Sequence, residues 1–318
     1  MICTTERNGK KTPFGINGPL HIEGTSLTGS NGKPVQLRGL STHNLNNYPE
    51  YVNIDAIRQF ADEWGISVFR LAMYSGAADG FDGYADGDDA HRTMLEDLIL
   101  KGVRYAAELG IYVIVDWHIL LDSDPNIHAD MAEHFFKSIC PKLKAYDNVL
   151  YEICNEPNVG ADWDAIKRYS DRIIPVIRGI DPDKVIIVGT PNWSQEVDKP
   201  AADPLPYKNI AYTLHFYADT HRDELRSKMD KAIEAGICVF ISEFGVCDAA
   251  GSGAINREQT DLWMEAAKKH NTSYVAWNLS NKDETSAFLK PSCDKLSDWT
   301  EDDYSEGGKY VKKCMLLP

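Results

Sequence analysis

The sequence has 318 residues, of which 43% are hydrophobic and 25% are charged, and its formal net charge at pH 7 is −15. These proportions are typical of a globular chain with a large core, and they exclude disordered, collagen-like and coiled-coil classes. Because an acidic chain without a basic patch repels polyanions, we expect neither nucleic acid nor a membrane surface as a partner. No apolar run approaches the roughly 20 residues of a membrane span, and the opening MICTTERNGKK lacks the apolar stretch of a signal peptide.

Short β-rich runs alternate with amphipathic helical stretches from about residue 35 to the end. The eight predicted strands cover residues 35–41, 67–73, 112–117, 149–154, 185–189, 210–216, 239–244 and 273–277. The predicted helices cover residues 55–64, 92–108, 129–146, 163–178, 222–234, 258–269 and a last stretch from Ser305. Because eight parallel strands with crossover helices close naturally on themselves, the pattern predicts an α/β fold, a (β/α)8 TIM barrel.

Two stretches depart from this regular alternation. Residues 14–34 are rich in Gly and Asn and predict a small β-hairpin before the barrel. The fifth unit contains WSQEVDKPAADPLPY, whose three prolines leave room for little helix. Since no linker, repeat or low-complexity tract interrupts the chain, residues 1–318 are predicted to form one domain, with 1–34 as an N-terminal extension and hairpin. Glycines are expected just past four helices, at Gly65, Gly110, Gly179 and Gly236.

The seven cysteines contain no CxxC pair, which disfavours zinc ribbons and thioredoxin-like sites. Cys154 and Cys238 lie in apolar runs and are expected to be small buried hydrophobes. We therefore predict no disulfide framework and at most one bridge, between Cys3 and Cys314. The acidic run DGYADGDD at 82–89 lacks the spacing of a calcium loop, and no metal site is predicted.

Polar and aromatic residues interrupt the apolar strands near their carboxyl ends, which form the active-site face of such a barrel. These residues are Arg70, Asp116, His118, Asn155, Glu156, His215, Tyr217, Glu243 and Trp277. Period-two alternation predicts one shared face for Glu152, Cys154 and Glu156, and another for Ile241 and Glu243. Asp116 and Glu152 are interpreted as internal partners in the barrel rather than as reactants.

Two glutamates at this face, without metal-ligand spacing such as HExxH, predict acid/base and nucleophile roles. A pair at roughly 5–5.5 Å hydrolyses a glycoside with retention, and a pair at roughly 6.5–9.5 Å inverts it. Arg70, His118 and Tyr217 supply positive charge or hydrogen bonds that keep one glutamate ionised while the other stays protonated. Trp277 and Trp193 offer flat faces on which a sugar ring can stack.

Eight ordered motifs occur at the spacing of the barrel strands. They are KPVQLRGLSTH, FRLAMY, VIVDWHIL with DSDPN, YEICNEPN, GTPNWSQ, LHFYA, ISEFGVCDA and AWNLSNKDETSAFLKP. On these motifs the chain resembles glycoside hydrolase family 5, and within it the bacterial-type endo-β-1,4-glucanases, from about Thr12 to Pro291.

The resemblance implies a role for each matching residue. Glu156 would be the acid/base and Glu243 the nucleophile, held by Tyr217 and Arg70. Because Arg70 and Tyr217 stabilise ionised Glu243, and burial beside that charge disfavours ionised Glu156, we expect the pKa of Glu156 to be the higher. Asn155 would bind the 2-hydroxyl of the sugar beside the scissile bond. The remaining substrate-binding residues would be His118, His215 and Trp277 at the cleavage subsite and His43, Tyr74, Trp193, Lys282 and Glu284 at neighbouring subsites. A cis peptide is expected between Trp277 and Asn278.

One position departs from the pattern that the resemblance implies. Relatives of this type have a tryptophan about four residues beyond the histidine of HNLNNYP, where this chain has Asn47 followed by Tyr48. A stacking platform on the non-reducing side is therefore expected to be lost.

The resemblance thus implies a secreted, monomeric, retaining endo-β-1,4-glucanase, or cellulase, that acts on β-1,4-glucan without a cofactor. The first alternative is a β-1,4-mannanase or another β-1,4-glycanase of the same family. A non-catalytic carbohydrate-binding barrel would lack one of the two glutamates, and both are present. An enzyme of phosphorylated metabolites would need a basic Gly-rich loop after strand seven or eight, whereas VCDAAGSGA contains no Lys or Arg.

Overall fold

The computed structural model of the chain describes residues 2–318. Its N-terminal segment contains two antiparallel hairpins on either side of a short helix. Their elements are β1 (Glu6–Arg7), β2 (Lys10–Lys11), α1 (Pro13–Asn17), β3 (Leu20–Glu23) and β4 (Ser26–Gly29). The hairpin β3–β4 confirms the sequence prediction, but α1 was missed. It forms because the side chain of Thr12 caps the Gly15 amide and Pro13 occupies its first turn.

The next eight strands are parallel and form a closed barrel in chain order, which confirms the predicted fold class. They are β5 (Arg38–Thr42), β6 (Val68–Tyr74), β7 (Tyr112–His118), β8 (Val149–Glu152), β9 (Ile186–Val188), β10 (Ile210–Tyr217), β11 (Val239–Gly245) and β12 (Tyr274–Leu279). Each lies within three residues of its predicted bounds at either end.

Helices connect successive strands and surround the barrel. They are α2 (Ile54–Gln59), α3 (Asp89–Leu109), α4 (Ala129–Leu143), α5 (Trp163–Ile180), α6 (Pro191–Ser194), α7 (Asp198–Ala202), α8 (Asp223–Glu234), α9 (Arg257–His270) and α10 (Glu306–Met315). A 3₁₀ turn, Pro49–Tyr51, precedes α2, and a π-helical turn, Phe60–Trp64, continues it. The fifth unit holds only the five-residue helix α7 and the short segment α6, in which Asn192 and Trp193 have left-handed backbone angles. This agrees with the prediction of little helix in this unit.

Three helix boundaries differ from the prediction by two or three residues. Helix α3 begins three residues early because the Asp88 side chain caps it by accepting from the His91 amide. Helix α4 stops three residues short of Tyr146. Helix α5 continues through Gly179, which was expected to follow it. Gly65 and Gly110, by contrast, do end their helices in the left-handed conformation.

Strand residues alternate between two apolar layers. Outward-facing side chains such as Phe69, Val113 and Tyr151 pack against the surrounding helices. Inward-facing residues at the amino ends of the strands form a second cluster, which the N-terminal segment closes with Phe14 and Leu20. Its strand members are Val68, Tyr112, Ile114, Leu150, Ile187, Ala211, Phe240 and Val275. The N-terminal segment therefore seals one end of the barrel and leaves the carboxyl end open.

The alternation fails at two places that matter for the site. Strand β8 ends at Glu152. The prediction that Cys154 shares a face with Glu152 and Glu156 is wrong, because Cys154 packs in the outer apolar layer. In β11, Phe240 pairs with Thr213 and Glu243 pairs with His215, so one extra residue is inserted. This β-bulge turns both Ser242 and Glu243 inward, whereas Ile241 faces the helices.

All seven cysteines are buried and unpaired. Cys3 donates to Asn148 Oδ1 at 3.0 Å, beside strand β8, while the carbonyl of Cys314 on α10 accepts from Tyr274 of β12. The bridge between Cys3 and Cys314 that the sequence left open does not form. In the part of the chain that the structure describes, no helix combines the length and the apolar character needed to cross a bilayer.

Candidate active site

A cleft of ≈ 430 Å³ opens at the carboxyl end of the barrel. Eleven of the thirteen site residues predicted from the sequence line it: His43, Tyr74, His118, Glu156, Trp193, His215, Tyr217, Glu243, Trp277, Lys282 and Glu284. Seven further residues line it that the sequence did not single out: Asp79, Leu120, Gln195, His221, Ala249, Ala250 and Gly251. These seven residues lie in loops, where no periodicity indicates which side chains point into the cleft.

Glu156 and Glu243 face each other across this cleft. Glu156 lies four residues beyond the end of β8, and its amide donates to the Ile119 carbonyl at 3.3 Å. Glu243 lies on the bulged part of β11. Their nearest carboxylate oxygens are within 4.8 Å of each other. This upper limit lies below the roughly 5–5.5 Å of retaining glycosidases and well below the roughly 6.5–9.5 Å of inverting ones.

Arg70 and Tyr217 hold the Glu243 carboxylate from two sides. The Tyr217 hydroxyl donates to Oε1 at 2.8 Å, and Arg70 Nη1 donates to Oε2 at 3.2 Å. Arg70 also contacts Glu152 Oε2 at 2.7 Å and Asp116 Oδ2 at 2.9 Å. Burial alone would lower the pKa of Arg70, but these three carboxylates raise it above its ordinary value. The guanidinium is therefore a permanent cation beneath the cleft.

Glu156 has a different environment. His215 Nδ1 lies 2.8 Å from its Oε1. Burial raises the pKa of Glu156 to about 8, with Asp116 and Glu152 adding to the effect against Arg70. Burial also raises the pKa of Glu243 to about 7, although His215, Arg70 and Tyr217 oppose it. The expected order is therefore present, but burial outweighs the charges that were expected to keep Glu243 a strong acid.

Arg70 and Asn155 lie behind the cleft wall, and both are fully buried. Asn155 Oδ1 accepts from Arg70 Nη2 at 2.7 Å, and its Nδ2 lies 3.1 Å from both the Ile119 carbonyl and His118 Nε2. Asn155 thus links the cation to the cleft-lining imidazole. Its contact with a sugar 2-hydroxyl stays a prediction.

A stack of aromatic rings forms one wall of the cleft. Tyr74 lies parallel to His118 with ring centroids 4.2 Å apart, and His118 stacks on Trp277 at 5.2 Å. Asp116 fixes the His118 ring through a 2.7 Å contact with Nδ1. The peptide bond between Trp277 and Asn278 is cis, as expected.

Trp193 extends the cleft on another side and is 40% exposed. It lies in a run of three left-handed residues, Asn192, Trp193 and Ser194. Ser194 stabilises this turn, because its hydroxyl donates to the Asn155 carbonyl at 2.6 Å and accepts from the Thr190 amide at 3.2 Å. The turn keeps the indole of Trp193 exposed to solvent at the edge of the cleft.

Lys282 is the cation inside the cleft. Its Nζ lies 3.1 Å from Glu284 Oε2, 3.4 Å from His43 Nε2 and 3.6 Å from Asp79 Oδ2. These four side chains offer both donors and acceptors to sugar hydroxyls. Asn47, the position at which the resemblance implied a tryptophan, is absent from the described cleft lining.

Glu156, His215 and Glu243 are the one set among residues 2–318 whose donor atoms could converge on a metal ion. Two of these donors, His215 Nδ1 and Glu156 Oε1, are already joined by a hydrogen bond. The side chains therefore fit an acid/base arrangement as they stand. That the site works without a metal or cofactor stays a prediction.

A parallel barrel with two closely opposed glutamates, an aromatic wall and several hydroxyl-binding groups defines the class of barrel glycoside hydrolases. A family model described as cellulase, glycosyl hydrolase family 5, matches residues 28–283. The chain belongs to this family.

Relatives support the same assignment over nearly the whole chain. An endoglucanase of Clostridium saccharobutylicum is 42% identical over 98% of this chain and 68% of its own length. Endoglucanase A of Butyrivibrio fibrisolvens is 43% identical over 92% of this chain and 68% of its own length. The catalytic domain of Thermobifida fusca endoglucanase Cel5A superposes with a TM-score of 0.90 at 34% identity, covering 96% of this chain and 100% of that domain. A variant of that domain was solved with cellotetraose.

Proposed function

We propose that this family 5 glycoside hydrolase is a retaining endo-β-1,4-glucanase, with Glu243 as the nucleophile and Glu156 as the acid/base. The observation that carries this proposal is the 4.8 Å limit between the two carboxylates. That spacing leaves no room for the water that an inverting enzyme places between nucleophile and sugar. The endoglucanase relatives and the cellotetraose complex support β-1,4-glucan as the substrate class.

In the first step a Glu243 oxygen attacks the anomeric carbon while the bond to the leaving sugar breaks. Glu156 transfers its proton to the departing glycosidic oxygen, so the leaving chain gains a hydroxyl. Arg70 and Tyr217 hold Glu243 by both oxygens and orient it for attack. Their hydrogen bonds also favour its ionised form before attack and its release afterwards.

In the second step water takes the place of the departed sugar. Glu156, now ionised, removes a proton from this water, whose oxygen attacks the anomeric carbon and releases Glu243. Two inversions at one carbon give net retention. Since Glu156 must give a proton and then take one, its raised pKa suits both halves of the cycle.

The wall formed by Tyr74, His118 and Trp277 supplies apolar faces for the ring of the cleavage subsite. Lys282, Glu284 and His43 supply polar contacts to a neighbouring glucose unit, and Trp193 stacks a ring on the leaving side. We further propose that the enzyme is secreted and acts as a monomer. The cleft holds both glutamates, the groups that orient them and the aromatic wall, so it needs no residue from a second copy. The endoglucanase relatives support an enzyme that acts on a polymer outside the cell.

Initial rates on carboxymethylcellulose, β-1,4-mannan, xylan and xyloglucan, measured side by side, test the substrate class. We expect the highest kcat/KM on the β-1,4-glucan and a rapid loss of viscosity relative to reducing ends, as internal cleavage requires. A higher kcat/KM on pure mannan would overturn the glucan assignment while leaving the two-glutamate mechanism intact.

A further inference from the structure

A chain of hydrogen bonds connects the acid/base Glu156 to a buried carboxylate that never reaches the cleft. His215 Nδ1 lies 2.8 Å from Glu156 Oε1, and His215 Nε2 lies 3.0 Å from Ser242 Oγ. Ser242 Oγ lies 2.7 Å from Glu152 Oε1. Arg70 Nε in turn donates to Glu152 Oε2 at 2.7 Å. The bulge in β11 creates this chain, because it turns Ser242 inward beside Glu243.

The direction of each hydrogen bond follows from counting hydrogens. Burial raises the pKa of Glu152, but its 2.7 Å contact with the buried guanidinium of Arg70 opposes this and favours the ionised form. An ionised carboxylate only accepts hydrogen bonds. Its Oε1 therefore receives the hydroxyl hydrogen of Ser242. Thr213 Oγ1 lies 2.6 Å from Ser242 Oγ, a contact that needs one hydrogen between the two oxygens. With the Ser242 hydrogen committed to Glu152, Thr213 donates to Ser242.

The remaining lone pair of Ser242 then faces His215 Nε2, so Nε2 must carry the hydrogen of that contact. A neutral imidazole has one N–H and one bare nitrogen. Nδ1 is therefore the bare nitrogen, and its contact with Glu156 holds only if the hydrogen belongs to the carboxyl group.

The opposite arrangement leaves an oxygen pair without a hydrogen. If Ser242 donated to His215, its 2.7 Å contact with Glu152 would join two oxygens with no hydrogen between them, because the ionised carboxylate has none to give. The Thr213 hydroxyl could donate to Glu152 Oε1 instead, but only over 3.4 Å. Its 2.6 Å contact with Ser242 Oγ would then have no hydrogen. Buried oxygens at such distances repel each other.

We propose that Ser242 is a positioning residue that fixes the Nε2–H tautomer of His215 and thereby holds the proton on Glu156. This inference rests on the proposed role of Glu156 as the acid. Ser242 would thus act on the acid through His215 although it adjoins the nucleophile in sequence.

The charges around Glu156 and His215 are consistent with control of the Glu156 proton through the tautomer of His215. Burial lowers the pKa of His215 to about 4, so the ring is neutral near neutral pH and only its tautomer can vary. Charged and titratable groups face the pair from five strands and from the loop after β10. They are Arg70 and Tyr74 on β6, Asp116 and His118 on β7, Glu152 on β8, Tyr217 on β10, Glu243 on β11 and His221 in the loop. Of these, Ser242 contacts only Glu152 directly among the described hydrogen bonds.

The tautomer can be read without any assay of activity. Two-bond ¹H–¹⁵N correlation spectra of protein labelled with ¹⁵N-histidine distinguish the two ring nitrogens, and the His215→Gln variant assigns its signals by their loss. We expect the Nε2–H pattern in the wild type. An Nδ1–H pattern would overturn the proposal, whether or not the protein hydrolyses glucan.

The alkaline limb of the pH profile tests the consequence for Glu156. Ser242→Ala removes the acceptor at Nε2, so the Nδ1–H tautomer can form and donate to ionised Glu156. The alkaline limb of kcat/KM should then move to lower pH by about one unit. Ser242→Thr restores a hydroxyl and should restore the limb.

Ser170→Ala is a matched control, because this serine is fully buried and its hydroxyl has no hydrogen-bond partner within residues 2–318. It should leave the profile unchanged. An unmoved alkaline limb in folded Ser242→Ala would contradict the proposal. If neither the wild type nor any variant hydrolyses glucan, the proposed function fails. The tautomer spectra of His215 then still decide the role of Ser242.

Discussion

The two ends of the barrel interior are equally buried and chemically opposite. On three strands a single step along one face changes an apolar side chain into a charged one: Val68 to Arg70, Ile114 to Asp116 and Leu150 to Glu152. All six side chains are at most 1% exposed. The lower layer packs against the N-terminal segment, whereas the upper layer forms ion pairs below the cleft.

This difference shows how one scaffold separates stability from chemistry. Apolar burial at the sealed end stabilises the fold by roughly 25 cal/mol per Å² of apolar surface. At the open end, a buried cation and several carboxylates shift the pKa values of Glu156 and Glu243. Substitutions at the sealed end should therefore lower the free energy of unfolding and leave the reaction rate unchanged. Substitutions at the open end should lower the reaction rate and change the free energy of unfolding less.

The largest effect is expected from Glu243→Ala at the open end. Without its nucleophile the enzyme should lose on the order of 10⁴-fold or more in kcat on soluble β-1,4-glucan. Azide should restore turnover and give a product of the opposite anomeric configuration, measured by ¹H NMR. Glu258→Gln, an exposed change on α9, is the control and should keep full activity. Near-normal activity in Glu243→Ala would refute its role.

Glu156→Gln should lose most activity on glucan, where the leaving group needs a proton. General acid catalysis contributes about 10²–10⁴-fold, so the loss should fall in this range. With 2,4-dinitrophenyl cellobioside, whose leaving group needs no proton, the first step should stay fast and a burst of phenolate should appear. Equal losses on both substrates would show that Glu156 is not the acid.

At the sealed end, Ile114→Ala should act on stability alone. Deleting a fully buried isoleucine costs about 2–5 kcal/mol, so urea denaturation should show a lower midpoint while kcat/KM stays within about twofold of the wild type. Ile16→Ala, on α1 and 55% exposed, should change stability by less than about 0.5 kcal/mol. A loss of activity in folded Ile114→Ala would break the separation between the two ends.

The pH dependence follows from the two raised pKa values. Glu243 must be ionised to attack, so kcat/KM should fall as pH drops through its pKa of about 7. Glu156 must be protonated to donate, so kcat/KM should also fall as pH rises through its pKa of about 8. Because the two carboxyl groups interact, the acid and alkaline limbs of the profile report apparent pKa values of the pair. A bell-shaped profile with its maximum between the limbs is expected, and Glu156→Gln should lose the alkaline limb.

The smallest effect is expected from Asn47→Trp, which adds the aromatic platform that the sequence resemblance implied at this position. The side-chain oxygen of Asn47 has no hydrogen-bond partner in the described chain, so its removal breaks no such contact. A stacked ring is worth about 0.5–1.5 kcal/mol, and KM for cellopentaose should fall a few-fold while KM for cellotriose changes less. Equal changes for both oligosaccharides would place the new ring outside the cleft.

Sequence patterns predicted the barrel and most of the cleft because both depend on periodicity. Apolar strands interrupted near their ends indicated Arg70, Glu156 and Glu243, and the family motifs supplied loop residues such as Lys282. The bulge at Ser242 was not predictable, since an extra residue in a strand leaves no mark in composition. Asp79 and the stretch 249–251 reach the cleft through loop conformations that depend on tertiary contacts.

Covalent trapping tests the two-glutamate retaining mechanism most directly. The enzyme would be incubated with 2,4-dinitrophenyl 2-deoxy-2-fluoro-β-cellobioside, digested and mapped by mass spectrometry. We predict one added fluorocellobiosyl group on the peptide that carries Glu243, and none in Glu243→Ala. Labelling of Glu156 instead, or turnover of glucan with an inverted product and no adduct, would contradict the mechanism.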